Sequence, residues 1–278
     1  MKMVKKILFG LVAVAAVLSL ASCGVKDDPE GIIKGGAGRF SVNYTYDGDT
    51  EYRAYRSTGA KHSGALVKIS FNEADIANAG NSKFGLIFGL KETKNGDQKI
   101  RNFYIAGLGA NGQYYVSKFE NVVDIQAKNF GAGTTYTNNV STTGPNGEKE
   151  TIISEGGTDG IHDGTLYTKE GEDPYAYIWY QIFTDGSIHL KIGNMADDKV
   201  TEWKNKIDNQ MQDDEPTFSA TLFTTTISGA YDDWSAEGAK APQDYPAVYA
   251  RVQGQSTLNG KVVFQKDFKE AEDIEEID

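Results

Sequence analysis

The chain has 278 residues, 39% of them apolar and 11% aromatic, with a formal net charge of −11. That length and apolar content suit one large domain or two small ones with a sizeable core. The acidic excess excludes holding nucleic acid by phosphate contacts, because the protein would repel the polyanion it must neutralise.

Lys2, Lys5 and Lys6 form a positive start, and Ile7 to Leu20 is an unbroken run of apolar and small residues. At ~1.5 Å per residue that run spans roughly 21 Å, short of the ~30 Å hydrocarbon core of a bilayer. It therefore reads as a secretion signal and not as a membrane span. The run closes on Leu20-Ala21-Ser22-Cys23, which resembles the lipobox of bacterial lipoproteins. The resemblance implies cleavage before Cys23, diacylglycerol on its sulfur and an acyl chain on the new amine. An ordinary signal peptide with a coincidental cysteine is the alternative. Cys23 is the only cysteine, so it has no partner for an intramolecular disulfide and no second thiolate for a metal site. Residues 1–22 carry three lysines and no acid, so the remaining 256 residues hold 25 basic against 39 acidic groups, a net charge of −14. Such a body is repelled by an anionic leaflet, and acyl chains have to do the anchoring. Inner-membrane lipoproteins of this type often carry an aspartate after the cysteine. Gly24 in that place permits an outer-membrane or cell-surface location.

Residues 23–38 read as the lipidated cysteine and a glycine-rich tether, reaching roughly 20–25 Å from the membrane. From Arg39 the apolar period changes to two. Ala65, Val67, Ile69 and Phe71 alternate with Leu66, Lys68 and Ser70, the pattern of a half-buried strand. Phe84 to Leu90 reads as a buried strand, followed by a turn at Asn95-Gly96 and a strand from Asn102 to Leu108. Asn111-Gly112, Asp185-Gly186 and Asn259-Gly260 each sit between strand-forming runs and predict hairpin turns, because both central residues must take positive φ. The polar stretch 126–174 reads as an insertion with one or two short strands. One helix is predicted, capped by Asp197 or Asp198, with Val200, Trp203, Ile207 and Met211 on one face. Residues 269–278 form an acidic tail expected to fray.

Phe84 to Phe88, Asn102-Phe103-Tyr104, Asn111-Gly112 and Tyr114 to Lys118 together resemble a hairpin of concanavalin-A-like and laminin-G-like domains. Ile178 to Ile192 and Tyr249 to Phe268 fit later strands of the same pattern. The resemblance implies an all-β fold over 39–268: an antiparallel two-sheet jelly-roll sandwich with one short helix and a long polar insertion. That fold hosts both lectins and hydrolases.

No catalytic constellation is present as a motif. Glycoside hydrolysis needs two carboxylates facing one cleft, and no Glu-x-Asp-x-x-Glu run lies in a predicted strand. His62, His162 and His189 are scattered, and no zinc spacing, phosphate loop or nucleophile elbow occurs. Asp47-Gly48-Asp49 and Thr158-Asp159-Gly160 with Asp163 offer oxygens for calcium, although ordinary turns use the same residues. Aromatic placement points instead to binding. Strand alternation puts Tyr175, Tyr177 and Trp179 on one face of Tyr175 to Phe183, and Ala176, Ile178, Tyr180 and Ile182 on the other. An exposed ladder of rings would stack sugar C–H faces while phenol and indole groups bond hydroxyls; a helix or the insertion covering that face is the competing arrangement. Trp234, beside Asp232 and Asp233, is a further candidate contact. The sequence thus anticipates a membrane-anchored module that contacts a glycan or an extracellular matrix-type protein. A polysaccharide-degrading enzyme and an envelope scaffold are the alternatives.

Overall fold

The computed structural model describes residues 32–35, 39–46, 51–57, 61–71, 83–109, 112–123, 141–143, 148–156, 166–208, 213–231, 241–245, 247–252, 256–264 and 274–277. Cys23, Trp234, His162 and both calcium-type loops lie outside them. The described strands build two antiparallel sheets. The seven-stranded sheet runs in the order β1 (Ile32–Gly35), β2 (Arg39–Tyr46), β14 (Ser256–Phe264), β4 (Gly64–Phe71), β10 (Tyr175–Ile182), β11 (Ile188–Asn194) and β12 (Ala220–Ile227). The eight-stranded sheet runs β15 (Ile274–Glu276), β3 (Glu51–Ser57), β13 (Ala247–Val252), β5 (Lys83–Asn95), β6 (Gln98–Gly109), β7 (Tyr114–Val122), β9 (Lys149–Gly156) and β8 (Ser141–Thr143). The chain passes between the sheets repeatedly, at β2–β3, β3–β4, β4–β5, β9–β10 and on each step from β12 to β15. This is the expected two-sheet sandwich.

Alternation explains the core. Val67, Ile69 and Phe71 of β4 and Ala176, Ile178, Tyr180 and Ile182 of β10 face Phe84, Leu86 and Phe88 of β5 and Ala106 and Leu108 of β6. Phe71–Phe84 and Phe88–Tyr180 ring contacts, at 5.7 and 5.0 Å, bridge the sheets. Each fully buried aliphatic or aromatic side chain contributes ~1.5–3 kcal/mol of transfer free energy. The outer face of the eight-stranded sheet is also buried, around Ile87, Phe103, Ile105, Tyr115 and Phe119.

Turn chemistry accounts for two of the three predicted hairpins. Gly112 (φ 79°) links β6 to β7, and Gly186 (φ 79°) links β10 to β11, but there the glycine alone takes positive φ and Asp185 does not, contrary to the expectation of two left-handed residues. There Asp185 Oδ1 accepts from the Ser187 amide at 2.8 Å. The third prediction is corrected. Asn259 and Gly260 lie inside β14, paired to Asn43 and Val42 of β2, while β13 belongs to the other sheet. A strand hydrogen-bonded on both sides leaves Asn-Gly no room to turn, and the change of sheet occurs between Val252 and Ser256.

Three boundaries also differ from expectation. Ile32–Gly35 pairs with β2 instead of belonging to the tether. Within the predicted insertion, β9 is a full member of the eight-stranded sheet, paired to β7. Ile274–Glu276 pairs with β3, and Ile277 is buried against the outer face of that sheet, so this part of the acidic segment is an edge strand and not a frayed tail. The helix, α1 (Asp197–Asp208), forms where expected, with Asp197 and Asp198 in its positive first turn. Met211 falls beyond it, outside the described residues.

Ile178→Ala is expected to cost about 2–5 kcal/mol, because the cavity sits between two sheets that cannot collapse onto it. Urea unfolding of the variant checks this, and a loss below about 1 kcal/mol would contradict the core placement of Ile178.

Candidate functional site: an aromatic layer beneath one helix

Strand β10 is buried on both faces, and the outward set is the one that carries the rings. Tyr175, Tyr177 and Trp179 are 6%, 4% and 0% exposed. With Leu66 of β4 they form a floor, over which α1 lays Val200 and Trp203, and Met195 closes the link from β11. Trp179 meets Trp203 edge-on at 5.5 Å and 84°, and Tyr175 meets Tyr177 in the same way at 5.7 Å. Of the two arrangements the sequence leaves open, an exposed ladder and a covered one, the structure has the second: the face is covered. Its apolar area is the reason, since a ladder flanked by Leu66 left in water would be a large exposed patch, and the apolar stripe of α1 matches it.

Ion pairs fasten the rim. Lys68 bonds Glu172 and also sits 4.1 Å from the Tyr175 ring centroid. Lys169 bridges Glu172 at 3.1 Å and Asp197, at the start of α1, at 2.7 Å. The Lys68 and Lys169 ammonium groups hold the Glu172 carboxyl below its usual range. Burial first, then the charges of Tyr175, Asp197 and Glu172, push the Tyr177 phenol up to about 12.

At the edge of the layer a cleft of about 130 Å³ is lined by Lys199, Glu202, Trp203, Asp214, Glu215, Pro216 and Thr217. Glu215 takes Lys191 Nζ at 2.7 Å and His189 Nδ1 at 2.5 Å, and the His189 ring stacks on Phe183 at 3.7 Å. Partial burial pushes the Glu215 carboxyl up, but the Lys191 and His189 hydrogen bonds outweigh it and hold the group below its ordinary range. Asp213, with φ 57°, anchors this segment by accepting from the Thr184 amide at 2.8 Å.

Three polar atoms in this layer are buried without a hydrogen-bond partner: Trp179 Nε1, Trp203 Nε1 and Tyr167 OH. Each such group costs about 1–3 kcal/mol relative to a paired one. Strand alternation places Tyr175, Tyr177 and Trp179 on one face, and helical spacing places Trp203 beside Val200. Tyr167, Glu215 and Lys191 carry no such local signal: a bridge to Tyr175 positions Tyr167, and ion pairs across β11 join Glu215 to Lys191.

Two further polar centres lie elsewhere, one half-buried and one buried. At one end of the sandwich, Asp244 accepts from Tyr231 OH and from the Gly89 amide at 3.1 Å. Gly89, at φ 61°, marks the bulge in β5 that presents this amide. Backbone bonds of 2.8 Å tie Asp244 to His62 in both directions. On the outer face of the other sheet, Glu148 and Glu150 flank Lys149 and are 2% and 3% exposed, and Glu150 accepts from Ser117 Oγ at 3.1 Å. This spacing of carboxylates was hidden in the stretch read as an insertion. Their burial keeps water and substrate away from both in this conformation. Among the described residues no group of three His, Cys, Asp or Glu is placed to hold a metal.

No protein-family profile matches the sequence, and no curated protein is significantly similar to it. Among solved structures the fold is similar to a glycosyl hydrolase family protein from Mycobacterium fortuitum, at 11% identity over 86% of this chain and 78% of that one, with a TM-score of 0.33. It is also similar to a legume lectin-like domain from Entamoeba histolytica, at 9% identity over 89% and 82%, with a TM-score of 0.23. Superposition this loose leaves ligand and chemistry to the residues of the chain itself.

Trp179→Ala should destabilise the protein by about 3–5 kcal/mol, as removal of a buried ring between sheet and helix does. Unchanged thermal unfolding would contradict the covered face. Asp244 gives a pH signature. Burial holds its carboxyl above the ordinary value of 3.8, although Tyr231, Gly89, Lys61 and Lys91 oppose the shift. A raised folded pKa means that the protonated form favours folding, so this contribution is full below the unfolded pKa and is lost as pH rises through the folded one. The stability of the wild type relative to Asp244→Asn should thus fall as pH climbs above about 3.8 and then level off; a difference independent of pH would contradict it.

Proposed function

We propose that this chain is a lipid-anchored bacterial envelope protein whose β-sandwich binds a glycan at the aromatic layer and its cleft. The observation that carries the binding half is the set of unpartnered donors, Trp179 Nε1, Trp203 Nε1 and Tyr167 OH, within a layer of tryptophan and tyrosine rings. Sugar hydroxyls accept from such donors, and sugar C–H faces suit such rings. Charged groups at the cleft, among them Lys199, Glu202 and Asp214, add polar contacts of the kind a polyhydroxylated ligand uses. Bond cleavage would need a protonated carboxyl beside an ionised one; Lys191 and His189 hold Glu215 in the ionised form, which suits a ligand contact and equally the second of those two groups.

The anchor half rests on Leu20-Ala21-Ser22-Cys23 behind the lysine-led apolar run. With only nine positions from Cys23 to Ile32, where β1 begins, the anchor would keep the sandwich within about 30 Å of the membrane surface. Gly24, in the place where retained lipoproteins of this type often carry aspartate, permits an outer-membrane or surface location.

Two measurements test the two halves. Cys23→Ser should abolish incorporation of labelled palmitate and move the protein out of the detergent phase; continued labelling would defeat the anchor. The acylated full chain in micelles should bind members of a glycan array, and a blank array alongside retention of matrix proteins would defeat the glycan reading.

A further inference from the structure

We infer that α1 is a lid, and that the glycan lies on the floor of Tyr175, Tyr177 and Trp179 after α1 lifts from it. The inference rests on the glycan reading above and says how that site opens. A helix–sheet interface seldom leaves donors unpaired on both of its sides. Here the indole N–H groups on both sides of the contact, Trp179 below and Trp203 above, lack acceptors, as does Tyr167 OH at the side. A hydroxylated chain sliding between helix and sheet supplies the acceptors that the closed state lacks.

The attachment of α1 suits such movement. Val200 and Trp203 are its buried side chains among those described, and Asp197, Asp198, Thr201 and Glu202 are exposed. Its start is held by Lys169 to Asp197, an ion pair whose side chains are 46% and 77% exposed, and such pairs are weak. The root is firm by contrast: the Asn194 carbonyl accepts from the Ser219 amide at 2.8 Å, and Met195 is 2% exposed. Ala196 then connects this fixed point to the helix. The cleft lined by Trp203 and by residues 214–217 already parts α1 from the neighbouring segment on one side. Successive rings on β10 stand about 6.6–6.8 Å apart along the strand, so an uncovered floor offers a row of stacking positions to an extended chain.

The experiment uses the acylated full chain in micelles and compares wild type, Lys169→Ala/Asp197→Ala and Trp179→Ala. The probes are cellohexaose, maltohexaose, xylohexaose and chitohexaose, followed by tryptophan emission and calorimetry. Releasing the strap removes the surface pairs of Lys169 with Asp197 and Glu172 and should raise affinity for the bound hexaose up to about fivefold by enlarging the open population. Tryptophan emission should change on binding, and Trp179→Ala should abolish it. Hydrogen exchange in the free protein should show α1 opening at least 100-fold more often than β10. Equal affinity in wild type and the strap variant, with unchanged emission, would overturn the lid while leaving glycan binding intact. Exchange of α1 at the rate of β10 would overturn it too. Failure of every hexaose to bind either protein would overturn the glycan reading and the lid together.

Discussion

Strand β10 buries all eight of its side chains, and the arrangement of the molecule follows from satisfying both of its faces. One face supplies Ala176, Ile178, Tyr180 and Ile182 to the space between the sheets, which places β5, β6 and β7 opposite. The other face carries rings too large to leave in water, which requires a second cover. The chain provides it by turning from β11 directly into α1 and by folding Tyr167 and its neighbours over the strand start, where Tyr167 and Tyr175 exchange backbone bonds of 2.9 Å.

This second cover is a different kind of interface from the first. Between the sheets, rings and aliphatic side chains interleave, and Tyr180 OH there also lacks a hydrogen-bond partner. Under α1, unpartnered donors lie on both sides of a helix contact whose rim is held by exposed lysine–carboxylate pairs. A contact that excludes water without pairing its polar groups is cheap to exchange for a ligand that does pair them. That difference directs the functional reading to the outer layer instead of the core.

Much of this was legible in the sequence, and the failures have physical causes. Period-two alternation located β4 and β10, a continuous apolar run β5, the strand-forming runs beside Asn111-Gly112 and Asp185-Gly186 gave β6, β7 and β11, and the spacing of Val200 and Trp203 found α1, because these are local patterns. Positive-φ glycines at 112 and 186 were readable from their Asn-Gly and Asp-Gly context. The same dipeptide misled at 259–260, where pairing on both sides of β14 overrides local turn preference. Strand β9 was obscured because Lys149 and its glutamates look solvent-facing, yet Glu148 and Glu150 are buried. Whether the Tyr175–Trp179 face was open or covered lay beyond periodicity, since the answer depends on where a helix some twenty residues later comes to rest.

The central claim is that the layer between α1 and β10 receives a glycan, and indole N–H resonances report on it directly. Nitrogen-15 labelling at tryptophan gives one signal each for Trp179, Trp203 and Trp234, assignable by single substitutions. Titration with a bound hexaose should shift the Trp179 and Trp203 signals as their hydrogens gain acceptors. Movement of the Trp234 signal alone, with the other two unmoved at saturation, would contradict the account.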